Sequence, residues 1–217
     1  MGLTNASEPD EVMRRRQELA DELGFDLQQA LMTVQEHGAN VAAFHRDRPE
    51  GGQCVLSTDA LATDLSGQAI VTYHADCFPV LFAAPARGVV AAAHAGWRGT
   101  LAGVAAATVR ELNVAYGVKA EDLRVLIGPG ICVSCYPIGE EIAGQFASRY
   151  GEEESYLQRG DGEVRLDIAA ALHLQLSREG VNPEHVNSMR ACTREQARWF
   201  SHRGGRPGRF LAVIVAP

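Results

Sequence analysis

No stretch of this chain is apolar for long enough to cross a membrane, no segment repeats, and no low-complexity linker divides it. The most apolar windows, residues 70–84 and 89–95, are interrupted by His74, Asp76, Cys77, Pro79 and Pro85. Neither approaches the ~20 consecutive apolar residues that a spanning helix requires. Nothing near the start resembles a signal peptide, because residues 7–24 are charged throughout. The five cysteines are an odd number and sit in or beside apolar segments. That pattern argues against a disulfide framework and for reduced thiols in a cytoplasmic setting. With a formal net charge of -7, the chain also lacks a polybasic nucleic-acid surface. Two local basic runs, Arg14-Arg15-Arg16 and residues 203–209, read equally as solvated faces or as contacts to an anion.

What is present is a chain of 217 residues, 46% hydrophobic, enough for one substantial core. Ser7-Glu8-Pro9-Asp10 reads as a helix start, Val12, Leu19 and Leu23 as its apolar stripe, and Gly24 as its stop. Residues 30–35 and 40–44 read as strands, and residues 46–53 as an exposed loop. Strands follow at 69–73 and 78–82, with a turn at Pro85 and Gly88. A buried strand at 89–93, a helix from about 100 to 116 stopped by Gly117, and a strand at 123–127 form a crossover unit. Helices are expected at 138–150 and 167–179, and strands at 185–190 and 210–215. The irregular alternation predicts an α/β fold of the α+β type: a mixed β-sheet core flanked by helices in one compact domain, 1–217.

The chemistry gathers at three predicted strand ends: Gln35-Glu36-His37-Gly38, His74-Ala75-Asp76-Cys77 and His94-Ala95-Gly96-Trp97-Arg98-Gly99. Sites are usually mounted on such ends. His37, Cys77 and His94 make a mixed N/S donor set suited to zinc, with a fourth coordination place open to water or substrate. Taken singly, Cys77 also reads as a small buried hydrophobe and each histidine as an ordinary hydrogen-bonding one.

These blocks, with Ala75-Asp76-Cys77-Phe78-Pro79-Val80-Leu81, resemble the signature of the laccase-domain family, known as multicopper polyphenol oxidases and as purine nucleoside phosphorylases. The similarity continues through Thr58-Asp59-Ala60-Leu61, Gly128-Pro129-Gly130-Ile131, Cys135-Tyr136, Asp167, Cys192-Thr193 and Phe200-Ser201-His202-Arg203. It implies that His37, Cys77 and His94 hold a metal ion, and that the chain lacks the family's usual N-terminal strand segment. It also implies phosphorolysis of purine nucleosides (adenosine, inosine or guanosine) by phosphate, with adenosine deamination as a side activity. Arg98 and Arg203 are then candidate phosphate ligands, Gln35, Cys135 and Tyr136 candidate substrate contacts, and Asp76 a candidate proton acceptor. His74 stands where many members carry Thr or Tyr, and reads as a proton shuttle, a fourth ligand or a supporting histidine. Pro137 replaces a commonly acidic residue.

Alternatives differ in class. A copper-dependent polyphenol oxidase is chemically accessible, because copper(II) binds such donors tightly. Seven dispersed histidines do not suit a multicopper cluster. A nucleobase-type deaminase would need His-x-Glu and Pro-Cys-x-x-Cys blocks. His74-Ala75-Asp76 and Cys132-Val133-Ser134-Cys135 depart from both, so Cys132 and Cys135 read as partly buried thiols near the site entrance. A non-catalytic, metal-stabilised binding module would need a four-ligand cage. No membrane or nucleic-acid partner is expected, and homo-oligomer formation stays open.

Overall fold

The computed structural model describes residues 9–45, 54–151 and 154–217. After helix α1 (Pro9–Leu23) come strands β1 (Leu31–Thr33), β2 (Val41–Phe44), β3 (Cys54–Val55), β4 (Ala60–Thr63), β5 (Ala69–His74), β6 (Phe78–Ala84) and β7 (Val89–Ala95). Helices α2 (Trp97–Ala102) and α3 (Val104–Tyr116) lead to β8 (Arg124–Ile127) and β9 (Pro137–Ile138). Helix α4 (Glu140–Tyr150), β10 (Leu157–Gly160), β11 (Glu163–Leu166), α5 (Ile168–Arg178), β12 (Val186–Ser188) and β13 (Phe210–Val215) complete the order.

Two mixed sheets stack face to face. One has strand order β13-β5-β1-β3, the other β12-β8-β6-β7-β4-β2, and β10-β11-β9 form a small third sheet. Strand alternation builds the layers, because successive side chains point to opposite faces. On β7, Ala91, Ala93 and Ala95 meet the helices, while Val90 and Ala92 fill the space between the sheets with Leu31, Leu61 and Ile70. On β5, Ala69 and Val71 face outward and pack with Ala20 of α1. The order across the molecule is therefore helix, sheet, sheet, helices: a single α+β domain. Continuing these alternations puts His74 of β5 and His94 of β7 on facing surfaces, with ring centroids 5.4 Å apart. The chain crosses from one sheet to the other at residues 75–77, so Cys77 enters beside these rings.

The crossover expected from β7 to β8 is present, with β6 lying between the two strands and antiparallel to both. Several expectations need correction. The helix expected at 100–116 starts at Trp97 and breaks at Gly103, whose φ of 90° is left-handed backbone that glycine adopts without strain. Leu23 is exposed and Arg16 and Ala20 are buried, so the inward face of α1 is rotated from the expected stripe. The hairpin β10–β11 was unexpected, although Asp161-Gly162, both at positive φ, is the Asp-Gly turn that such hairpins favour. The expected cap at Ser7 and loop at 46–53 lie outside the described residues.

Gly130 shows how tightly the site end is packed: a Cβ there would lie 2.5 Å from the Phe78 ring. Gly130→Ala should therefore lower unfolding free energy by about 1–3 kcal/mol. Gly144→Ala, in α4 with open space around it, should raise it by about 0.5–1 kcal/mol. Chemical denaturation of the two variants compares them.

Candidate metal centre

The centre is organised by a buried carboxylate. The β4–β7 register pairs Ala60 with Ala93, so Asp59, one residue before β4, lies opposite His94. The His94 amide donates to the Asp59 carbonyl at 2.8 Å. The Asp59 carboxylate accepts backbone N–H bonds from Glu36, His37 and Gly38 at 3.1, 3.0 and 2.7 Å. It also bonds Nδ1 of His94 at 2.9 Å. These bonds shape the turn that carries His37, whose φ of 63° is left-handed, and take up Nδ1 of His94, so Nε2 is the ring nitrogen that can serve an ion. Burial would push the Asp59 carboxyl up, but the bonds from His94 and the amides hold it below the usual carboxylate value.

One donor atom each from His37, Cys77 and His94 lies within 4.8 Å of the others. The His37 and His94 rings meet edge to face at 4.8 Å between centroids. Gly96 permits this approach, because a Cβ there would fall 2.7 Å from Cys77 Sγ and 3.1 Å from His37 Cδ2. The donor set fits a borderline-soft cation held by three protein ligands, with a carboxylate orienting one imidazole. Burial would raise the Cys77 thiol, yet hydrogen bonds from His37 and His94 bring it down to about 7. Burial would lower His94, yet its bonds to Asp59 and Cys77 raise it to about 9. The protein groups alone thus favour a thiolate beside an imidazolium.

A cavity of about 860 Å³ opens over the cluster. Its walls include Tyr73, Trp97 and Tyr136 and four arginines, Arg16, Arg98, Arg203 and Arg209. The two basic runs of the sequence are divided by this geometry. Arg14 and Arg15 pair with Glu11, and Arg14 also with Glu18, on the outer face of α1. Arg16 turns inward over the Tyr73 ring at 5.3 Å. Arg98 stacks on Trp97 at 4.5 Å and Arg203 on Tyr136 at 5.0 Å. Burial pushes the Tyr136 hydroxyl up to about 12, so it stays protonated and able to donate.

Other expected site residues fall elsewhere. His74 is fully buried, with its ring nitrogens bonded to Thr72 Oγ1 at 2.7 Å and the Cys77 carbonyl at 3.2 Å. Burial holds it well below the usual histidine value. Its ring stands beside that of His94 at 5.4 Å between centroids, and it is not among the three clustered donors. The Gln35 amide bonds both backbone groups of Tyr73, each at 2.8 Å, and fixes a strand edge. Asp76 lines the cavity, but its carboxylate accepts from Thr193 Oγ1, Ser201 Oγ and the Arg203 amide at 2.6, 2.7 and 2.6 Å. It clamps a loop. Cys135 is turned toward Cys132, Cys192 and Glu195, away from the cavity lining. Asp59 was not singled out from the sequence. The only signal was its place in Thr58-Asp59-Ala60-Leu61, just before a four-residue strand.

A two-sheet fold with a His-Cys-His cluster at one end of its inter-sheet layer defines a class, and comparison identifies it. The chain belongs to the family described as multi-copper polyphenol oxidoreductase laccase, whose model matches residues 1–217. It is 37% identical over 215 residues to a protein of Streptomyces coelicolor named purine nucleoside phosphorylase, covering 99% of this chain and 86% of that one. It is 32% identical to a protein from an unknown prokaryotic organism named adenosine deaminase, covering 94% and 81%. The crystal structure of YlmD from Geobacillus stearothermophilus superposes with a TM-score of 0.92 at 31% identity, covering 100% of this chain and 84% of that one. Among the described residues, one donor cluster contains histidines. No helix among them is long and apolar enough to cross a membrane.

Two outcomes follow. Asp59→Asn should weaken metal affinity about 10- to 100-fold, read by competition with a chromophoric chelator. In the native chain, log affinity should rise with pH by about one per unit between pH 7 and 9, because a cation must displace the proton on His94. The slope should steepen below pH 7, where Cys77 also protonates.

Proposed function

We propose that the chain is a zinc-dependent purine nucleoside phosphorylase. The observation that carries this reading is the arginine-lined, aromatic-walled cavity over the His37–Cys77–His94 cluster in a chain of net charge -7. Asp76 is the one carboxylate among the lining residues named for the cavity, and its oxygens already accept three bonds from the protein. The local field therefore favours an anion, and guanidinium groups suit phosphate oxygens.

In the reaction, a phosphate oxygen bonds the anomeric carbon as the carbon–nitrogen bond to the base breaks. The base leaves with that electron pair and takes up a proton. Arg98 and Arg203, steadied by their aromatic neighbours, bind and orient phosphate. Tyr136 presents a protonated hydroxyl to the substrate, and the rings of Tyr73 and Trp97 offer flat apolar surface to a purine. His37, Cys77 and His94 would hold the zinc, which would supply Lewis-acid chemistry when bound. Asp59 keeps His94 in the ligating tautomer.

Incubation of the zinc-loaded chain with adenosine or inosine plus phosphate should yield free base and ribose 1-phosphate. Arg98→Ala should raise the KM for phosphate roughly ten- to a hundredfold, the worth of a charged hydrogen bond, with zinc content unchanged. Ammonia released from adenosine without phosphate would instead show deamination. Oxidation of phenols by the copper-loaded chain, with no phosphorolysis by the zinc form, would favour the oxidase reading and sink this one.

A further inference from the structure

A second set of metal-ligating side chains lies outside the cavity. Donor atoms of Cys132, Cys135, Cys192 and Glu195 all lie within 4.8 Å of one another. Cys132 and Cys135 bracket a one-turn helix at Val133–Cys135, in which the Cys135 amide donates to the Cys132 carbonyl at 3.0 Å. Such a Cys-x-x-Cys turn brings two sulfurs to one side, the spacing with which paired thiolates grip an ion. Cys192 and Glu195 arrive on a separate segment. The two segments are stitched by Gly130 N–H to the Ala191 carbonyl at 3.2 Å and Thr193 N–H to the Gly130 carbonyl at 3.0 Å.

The distances match a particular coordination. Sγ of Cys132 and Sγ of Cys135 each lie 3.5 Å from the same oxygen, Oε1 of Glu195. A tetrahedral ion with bonds of ~2.3 Å to sulfur and ~2.0 Å to oxygen has a sulfur–oxygen edge of ~3.5 Å. Cys192 Sγ accepts the Cys132 amide N–H at 3.4 Å, a bond that supports negative charge on sulfur. Without an ion the thiols of Cys132 and Cys135 donate to Oε1 of Glu195; a cation would take the place of both protons.

We infer that Cys132, Cys135, Cys192 and Glu195 form a second, closed site for a tetrahedral divalent cation of the zinc class. Four protein donors leave no place for substrate, so its role is structural. The ion ties residues 130–136 to 191–195, and this tie reaches the cavity. Ile131 donates its amide to the Asp76 carbonyl at 2.9 Å, and Thr193 donates its hydroxyl to the Asp76 carboxylate. Ile131 and Tyr136 line the cavity wall. The clamp therefore holds one wall against the loop that carries Cys77, independently of which substrate the cavity takes.

The test counts zinc by plasma mass spectrometry in the full chain, purified anaerobically under reducing conditions and loaded with zinc. Wild type should hold two ions per chain, Cys77→Ser one, Cys132→Ser/Cys135→Ser one, and the triple variant none. With cobalt(II) in place of zinc, Cys77→Ser should keep sulfur-to-metal charge-transfer absorption and the triple variant should lose it. If the double variant fails to fold, Cys77→Ser and His37→Ala decide alone, each expected to retain one ion. One zinc in wild type with none in Cys77→Ser would overturn the proposal. So would a Cys132–Cys135 disulfide that, once reduced, takes up no zinc, because the cluster would then be a redox pair.

Discussion

Four hydrogen bonds to one buried carboxylate organise the site end of this molecule. Asp59 accepts three consecutive backbone amides and the imidazole of His94, so one side chain sets the turn bearing His37 and the ring orientation of His94. Its position follows from strand register: antiparallel pairing of β4 with β7 sets Asp59 opposite His94. Removing the carboxylate would take the partner from three part-buried amides and from the buried His94 ring at once, the last alone costing about 1–3 kcal/mol when left without a partner. The same bonds make His94 a better ligand, because a carboxylate on Nδ1 raises the basicity of the opposite nitrogen.

Asp76 repeats this logic on the other side of the cluster. It sits at φ 84°, directly before Cys77, where the chain passes between sheets. Its carboxylate gathers Thr193, Ser201 and the Arg203 amide from a distant part of the chain. One buried acid thus fixes the two imidazoles, and a second joins the thiolate to the wall carrying Arg203. Both acids act through position. The cavity's positive character then comes from the arginines of its lining, Arg98, Arg203 and Arg209 among them.

The layered fold was largely legible because its strands are short apolar runs ending in turn residues, and β7 is apolar on both faces as a central strand should be. The three proposed ligands were legible for a related reason: His37, Cys77 and His94 interrupt those runs at their ends. The roles around them were not. The partners of Asp59 are backbone amides, which leave no trace in composition. His74 looked like chemistry because it neighbours Cys77, yet counting in steps of two from Ile70 places it between the sheets, where both ring nitrogens find internal partners. Gln35 read as a substrate contact and Asp76 as a proton acceptor because each stands in a block with a ligand, and neither the strand-edge bonds of Gln35 nor the loop partners of Asp76 can be read from that neighbourhood. Cys135 was drawn to the cavity by its neighbour Tyr136, while the turn at Val133–Cys135 directs the two residues to different sides.

Everything in this account requires one cation to be shared by two imidazoles and a thiolate drawn from three separate loops. Anomalous diffraction at the zinc absorption edge, from crystals of the metal-loaded chain, tests that directly. The account predicts a peak ~2.0–2.3 Å from a nitrogen of His37, Nε2 of His94 and Sγ of Cys77 together. A metal-loaded crystal with no peak joining those three side chains would contradict it.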